Sequence, residues 1–200
     1  MTSLLSLLSM EAPLFALLYA GYRQQNGAAL FNTVVAILAT ATPGAVELAL
    51  RAQGAPQASF TSLLTLWVGV ASVLHCLGML GLYESLEWWD HLTHTISAAL
   101  TAALLYAALL VAVGPASGGG TAHLAVATLG LVLVLSLLWE LTELVMRGLG
   151  KRYGIEPVLV HYGWQDTEFD LVFDIVGAVL VLALDVRLFV PVFETLHTAL

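Results

Sequence analysis

The sequence carries very little charge for its length. Only 10% of its 200 residues are charged, against roughly 25% in an ordinary soluble domain. Because so few polar side chains cannot cover a surface that faces water, the composition excludes a soluble globular protein. Apolar residues make up 60% of the chain and the mean hydropathy is +0.92, which is typical of an integral membrane protein.

Basic residues and cysteine are scarcer still. Six Lys and Arg stand against 14 Asp and Glu, which gives a net charge of −8. Nucleic acid is therefore excluded as a partner, because phosphate binding needs a basic patch. Cys76 is the single cysteine, so the chain has no intrachain disulfide. The first residues lack a basic region and include Glu11, so we interpret them as a retained helix and not a cleaved signal peptide.

Six apolar stretches are long enough to cross a bilayer, which takes about 20 mostly apolar residues each. Short polar or glycine-rich segments separate them. We therefore predict an all-α membrane protein, a bundle of six transmembrane helices that forms a single integral membrane domain over residues 1–200. The approximate spans are 4–22, 28–50, 60–83, 91–113, 121–146 and 169–189.

The basic residues favour one orientation of this bundle. Loops one, three and five hold four of the six, whereas the opposite side holds Arg51 and Arg187. Basic residues collect in cytoplasmic loops. The pattern therefore predicts a multi-pass protein of the cell membrane (inner or plasma membrane) with its N-terminus outside.

Acidic and histidine side chains lie inside the apolar segments. Asp90 and His94 open the fourth predicted helix and, being four residues apart, share one of its faces. With six spans and short loops, the starts of helices four and six meet the ends of helices three and five in one half of the membrane. Nine polar residues then converge there: His75, Asp90, His91, His94, Glu140, Glu143, Asp166, Asp170 and Asp174.

Unpaired charges at this depth would destabilise the fold. Each costs about 2.5–3.5 kcal/mol, so four or five acids would offset most of a net stability of roughly 5–15 kcal/mol. No lysine or arginine lies within predicted helices three to five. Three explanations stay open: the acids are protonated, they pair with the histidines, or they hold a divalent metal.

A metal site of this composition favours Mn, Fe or Zn, because calcium prefers oxygen ligands alone. The predicted ligands are Asp90, His94, Glu140, Glu143, Asp166 and Asp170, with His75, His91 and Asp174 in supporting positions. Such a metal near the headgroups could activate water or polarise a lipid phosphate or carbonyl.

Other functions fit the same residues. The acids could serve a proton- or cation-coupled transporter, or the chain could be a structural or ligand-binding component without turnover. Asp90 and Asp166 stand at helix starts, where acids also act as N-caps. His75 among small residues is also typical of a hydrogen-bonded packing residue. The lipid bilayer is the expected partner, with a lipid or an ion as ligand, and the sequence indicates no oligomeric state.

Four groups of residues in combination resemble a known family. They are His75-Cys76-Leu77-Gly78, then Trp89-Asp90 with His94 and Ser97, then Trp139-Glu140 with Glu143, then Gly163 with Asp166-Thr167, Asp170 and Gly177. This set resembles the YjdF-like family of bacterial and archaeal multi-pass membrane proteins over roughly residues 32–184, and more distantly the VanZ-like group. The resemblance implies a six-helix inner-membrane protein and no particular activity.

Overall fold

The computed structural model describes residues 2–54, 62–113, 121–154, 158–159 and 163–199. Within these ranges all regular structure is helical. The helices are α1 Thr2–Gln24, α2 Gly27–Ala52, α3 Ser62–Leu77, α4 Trp88–Val113, α5 Thr121–Tyr153, α6 Trp164–Ala183 and α7 Val190–Ala199. Helix α3 continues through a π-helical segment, Gly78–Leu82, and a last turn, Tyr83–Ser85.

The helices have the length and composition of membrane spans. Four of them qualify on both counts: α2, α3 with its continuation, α4 and α5. Large apolar side chains such as Leu38, Val126 and Leu141 are exposed on their outer faces, as expected for surfaces that contact lipid. The protein is therefore an all-helical, multi-pass membrane protein. Helix α6 is long enough to span but carries four acidic side chains, and the apolar sequence of α1 contains Glu11 and Pro13.

The helix ends differ from the predicted spans mainly after residue 146. Helix α5 continues to Tyr153, and α6 already begins at Trp164 instead of at 169. Basic side chains close to the end of α5 favour this extension, since Lys and Arg are good helix formers and interact well with a helix C-terminus. The short helix α7 has no counterpart among the predicted spans, because ten residues cannot cross a bilayer.

Two groups of helices make up the bundle. Helices α1, α2 and α3 pack against one another, and α4 packs against α5, α6 and α7, with its most extensive contact on α6. Small residues allow this close approach: Ala98, Ala102 and Ala178 are buried in the shared core. At Gly177 a Cβ atom would collide with the backbone oxygen of Thr95. The two groups meet where α3 contacts α4, and a cavity lies between them.

The start of α6 shows whether Asp166 is a helix N-cap. Gly163 is the N-cap residue, with φ of 129°, a conformation that glycine adopts far more readily than other residues. Asp166 therefore lies in the first turn of α6 and not at its N-cap position. A carboxylate in a first turn still interacts favourably with the helix dipole.

The turn after α6 is tied to α4 on the far side of the bundle. Asp185 accepts hydrogen bonds from Arg187 Nε at 2.9 Å and from the Tyr106 hydroxyl at 2.7 Å. The hydrogen bond from Arg187, and to a smaller extent that from Tyr106, holds the pKa of the Asp185 carboxyl below its usual range. The chain then turns so that Phe189 is fully buried, with its ring 5.8 Å from that of Trp67. This contact ties α7 to the core.

Candidate functional site

His94 stands at the centre of the polar residues. Its Nδ1 atom lies 3.1 Å from Oδ1 of Asp174 on α6. Because a carboxylate oxygen accepts hydrogen bonds, this bond runs from the N–H at Nδ1 to Oδ1 of Asp174. Its Nε2 atom faces two further carboxylates, at 3.7 Å from Asp170 and 3.8 Å from Asp90. The ring is thus held by one carboxylate and directed at two others.

The spacing of these three residues fits a metal ion. Distances of 3.7 and 3.8 Å exceed those of direct N–H···O hydrogen bonds, roughly 2.7–3.2 Å. One ligand atom from each of Asp90, His94 and Asp170 lies within 4.8 Å of the other two. Two ligand atoms at about 2.0–2.2 Å from one ion lie at most about 4.4 Å apart, and the two distances from His94 Nε2 are within this limit.

Buried carboxylate oxygens beside this group have no hydrogen-bond partner among the described residues. Asp170 is only 1% exposed, and its Oδ1 is unpartnered. Both carboxylate oxygens of Glu140, which is 6% exposed, are also unpartnered. Thr167 lies near Glu140 without meeting hydrogen-bond geometry. Leaving such groups unsatisfied is costly, especially in a membrane.

The structure brings three of the six predicted ligands into one tight group and leaves three around it. Glu143 is buried and lies within electrostatic reach of His94, Asp90 and Asp170. Glu140 and Asp166 also lie near the group and near each other. A ligand role for each of the six residues stays a prediction.

The residues predicted to support the metal ligands also differ in how closely they approach His94. Asp174 directly contacts His94. His91 stacks its ring on Phe173, with centroids 4.3 Å apart and planes 12° from parallel. It lies within electrostatic reach of Asp90, but its packing on α6 is the dominant contact.

His75 belongs to a second polar network, on the opposite group of helices. Its Nε2 lies 3.1 Å from Oδ1 of Asn32, and its Nδ1 lies 2.8 Å from the Tyr83 hydroxyl. The Asn32 amide nitrogen donates to the carbonyls of Ala28 and Val158, so its oxygen must accept from a protonated Nε2. The Tyr83 hydroxyl also lies 3.4 Å from Thr93 Oγ1, so it links His75 to the first turns of α4.

Sequence reasoning missed Tyr83 and the part that Asn32 plays. Tyr83 follows the π-helical segment, and its ring occupies the space that a Cβ atom at Gly78 would need. Gly81 has φ of 122° within this segment, which redirects the chain. The two glycines, Gly78 and Gly81, are the sequence signal that the helix changes here. Such a change is informative, because π-helical insertions often accompany functional sites.

A cavity of about 490 Å³ joins the two networks. His94, Asp90, Glu143 and Asp174 line one part of its wall, and His75 and Tyr83 line another. Asp170 and Glu140 are not among its lining residues. The volume is within the range of small-molecule sites, roughly 300–1,000 Å³. The arrangement therefore offers a ligand-sized space next to the polar group.

Glu140 provides a first test. Replacing it with leucine is expected to raise the free energy of unfolding by about 1–3 kcal/mol, because the change removes buried oxygens that lack partners. Thermal or denaturant unfolding in detergent measures the effect. Glu84→Leu is the exposed control and should change stability by less than about 0.5 kcal/mol. A less stable Glu140→Leu protein that also loses bound metal would show instead that Glu140 is a ligand.

The comparisons with known proteins agree with the helical, membrane character of the chain. A family model described as a predicted membrane protein family, DUF2238, matches residues 5–190. This is the YjdF-like family, so that resemblance is confirmed, whereas the likeness to the VanZ-like group stays a prediction. No curated protein and no solved structure matches the chain. Since the match covers nearly the whole sequence, the chain belongs to the DUF2238 family of predicted membrane proteins.

Proposed function

We propose that Asp90, His94 and Asp170 bind a divalent transition metal, Mn, Fe or Zn, and that this metal acts on a lipid. One observation carries the proposal. His94 is held by its hydrogen bond to Asp174, so that its Nε2 is directed at Asp90 and Asp170. A carboxylate that orients a metal-binding histidine in this way is the usual support of such ligands.

Charge balance favours a metal over a proton. In the described part of the chain, the cation-forming group in contact with Asp90, Asp170 and Asp174 is His94 alone. A protonated His94 would supply one positive charge for three carboxylates, with Glu140 and Glu143 nearby. A divalent ion supplies two and also binds the oxygen of Asp170 that has no hydrogen-bond partner.

The proposed chemistry is that of a Lewis acid at the wall of the cavity. A metal in this position would polarise a carbonyl oxygen, or bind water as a nucleophile. Glu143 lines the same cavity, and we assign to it the acceptance of a proton from such a water. The polar end of a lipid would react where Asp90 and His94 line the cavity.

We further propose that α1 and α6 are membrane spans as well. This gives six spans in one membrane domain over residues 1–200. Helix α6 buries two of its four acids, Asp170 and Asp174, whereas Glu168 is exposed in its first turns. Beyond Glu168 its outer face exposes Phe169, Val172 and Val176, which suits contact with lipid. Under this topology the site lies in one half of the cell membrane, with the N-terminus outside.

Elemental analysis of the detergent-purified protein tests the metal directly. We expect about one transition-metal ion per chain, as the single tight group of three ligands implies. Removing it with a chelator should lower the unfolding midpoint. Adding the metal back at 100 times its Kd should restore about 2.7 kcal/mol. A protein with no bound metal, and with an unfolding midpoint that does not respond to added Mn, Fe or Zn, would contradict the proposal.

A proton- or cation-coupled transporter is the second candidate, and Glu11 favours it. Glu11 is 9% exposed on α1, and neither carboxylate oxygen has a hydrogen-bond partner among the described residues. It follows Met10, which packs against Gly69 in α3. Glu47, near the C-terminal end of α2, is buried and paired with Arg51. Buried acids thus lie outside the group around His94 as well, as a path for protons or cations would require.

Flux across proteoliposomes distinguishes the two candidates. A transporter should move protons or cations at a rate that Glu11→Gln and Asp170→Asn both reduce. A metal site acting on lipid should show no flux above empty vesicles and no dependence of metal content on Glu11. A protein with neither metal nor flux would be a structural or ligand-binding component.

A further inference from the structure

We propose that the cavity takes one membrane lipid, which enters sideways between α2 and α5 and carries a polar end without negative charge. The nature of the polar end rests on the proposed function, because the metal site would act on it. The sideways entry follows from the cavity itself and does not require a metal.

The cavity opens toward the bilayer. Val35 of α2 is 48% exposed, and Leu135 and Trp139 of α5 are 45% and 43% exposed. All three also line the cavity. Exposed apolar side chains on spanning helices face the hydrocarbon, so these residues belong to the cavity and to the lipid surface at once. Within the described residues, α2 and α5 do not pack extensively against each other, and the gap between them is the entrance.

The wall at the entrance suits an alkyl chain. Ala36 and Ala39 of α2 and Val132 of α5 line the cavity beside the exposed residues. These side chains are small or apolar and leave space next to the polar group at His94. A chain that entered between α2 and α5 would place its polar end against Asp90 and His94 while its tail stayed in hydrocarbon.

Charge determines which polar end can bind. The described lining residues include the acids Asp90, Glu143 and Asp174 and no lysine or arginine. Asp170 and Glu140 are two further acids beside the wall. Because the described lining has several acids and offers an anion no lysine or arginine, a phosphate headgroup would be disfavoured. A hydroxyl, a carbonyl or an amine would be accepted.

Arg147 does not change this conclusion. It lies one turn beyond Glu143 on α5 and is not among the residues that line the cavity.

Photo-crosslinking with three probes of equal chain length tests the inference. The probes are hexadecyl alcohol, hexadecylamine and hexadecyl phosphate, each with a photoreactive diazirine in the chain. They are added to the full-length protein in phosphatidylcholine vesicles, with and without a chelator, and labelled peptides are mapped by mass spectrometry. We expect the alcohol and the amine to label peptides that contain Val35 and Trp139, and the phosphate to label them at least about tenfold less.

Two variants of adjacent residues supply the control. Ala39→Trp fills the entrance and should reduce labelling of the Trp139 peptide at least about fivefold, a difference of nearly 1 kcal/mol. Leu38 is 64% exposed and does not line the cavity, so Leu38→Trp should leave labelling unchanged. Equal labelling by the phosphate would overturn the headgroup assignment, and undiminished labelling of Ala39→Trp would overturn the entrance. Labelling that persists with the chelator, in a protein without metal, would leave the entrance standing while the metal proposal fails.

Discussion

Replacing His94 with glutamine is expected to abolish stoichiometric metal binding. Glutamine keeps a polar side chain of similar length but removes the imidazole Nε2 that faces Asp90 and Asp170. Loss of a group that merely orients a ligand typically lowers metal affinity 10–100-fold, so loss of the ligand itself should lower it by more than about 100-fold. Calorimetric titration of the metal-free protein, together with elemental analysis, measures the change.

Two companion variants make this result specific. His123 is exposed at the start of α5, so His123→Gln should bind metal like the parent protein. Asp174→Asn keeps the shape of the group that holds Nδ1 but removes its charge, and its affinity should fall by the intermediate amount, about 10–100-fold. A His94→Gln protein with full metal content would show that His94 is not a ligand.

Replacing Gly177 with alanine is expected to destabilise the protein by about 1–3 kcal/mol, the usual cost of overpacking. The added Cβ would collide with the backbone oxygen of Thr95 and lie 3.0 Å from the Ala99 nitrogen. Backbone atoms cannot move aside as a flexible side chain can, so α4 and α6 must separate. Thr95 follows His94 and Gly177 lies one turn after Asp174, so the His94–Asp174 hydrogen bond should lengthen as well.

Thermal unfolding and metal titration of Gly177→Ala test both consequences. Gly130 of α5 is the control, because a Cβ there would meet nothing within 4 Å. Gly130→Ala should be unchanged or more stable by up to about 1 kcal/mol, since alanine favours the helix. A Gly177→Ala protein as stable as Gly130→Ala, with unaltered metal affinity, would contradict the close packing of α4 on α6.

The sequence predicts the level of the polar residues in the bundle better than it predicts their contacts. Alternating helix directions place the start of α4 and the start of α6 at the same height, and the structure brings Asp90, His94 and Asp170 together there. Counting crossings cannot give the rotation of each helix. The close contact of α4 with α6 fixes that rotation, and it turns Asp174 toward His94 while His91 packs on Phe173.

Other features depend on local geometry that hydrophobic patterns do not encode. The π-helical segment with Gly81 brings Tyr83 back onto His75, whereas a regular helix pattern predicts only that this segment continues α3. The end of α5 was misplaced for a different reason. Its basic residues ended the apolar run at 146, yet they continue the helix to Tyr153. The end of an apolar stretch marks where lipid contact stops and not where the helix stops.

X-ray absorption at the metal edge of the purified protein tests the central claim most directly, because it reports the ligand atoms themselves. We predict one stoichiometric metal with a single imidazole nitrogen and otherwise oxygen ligands, at about 2.0–2.2 Å. The imidazole signal should disappear in His94→Gln. A spectrum with sulfur ligands, or with oxygen ligands and no imidazole in the parent protein, would contradict a metal held by Asp90, His94 and Asp170.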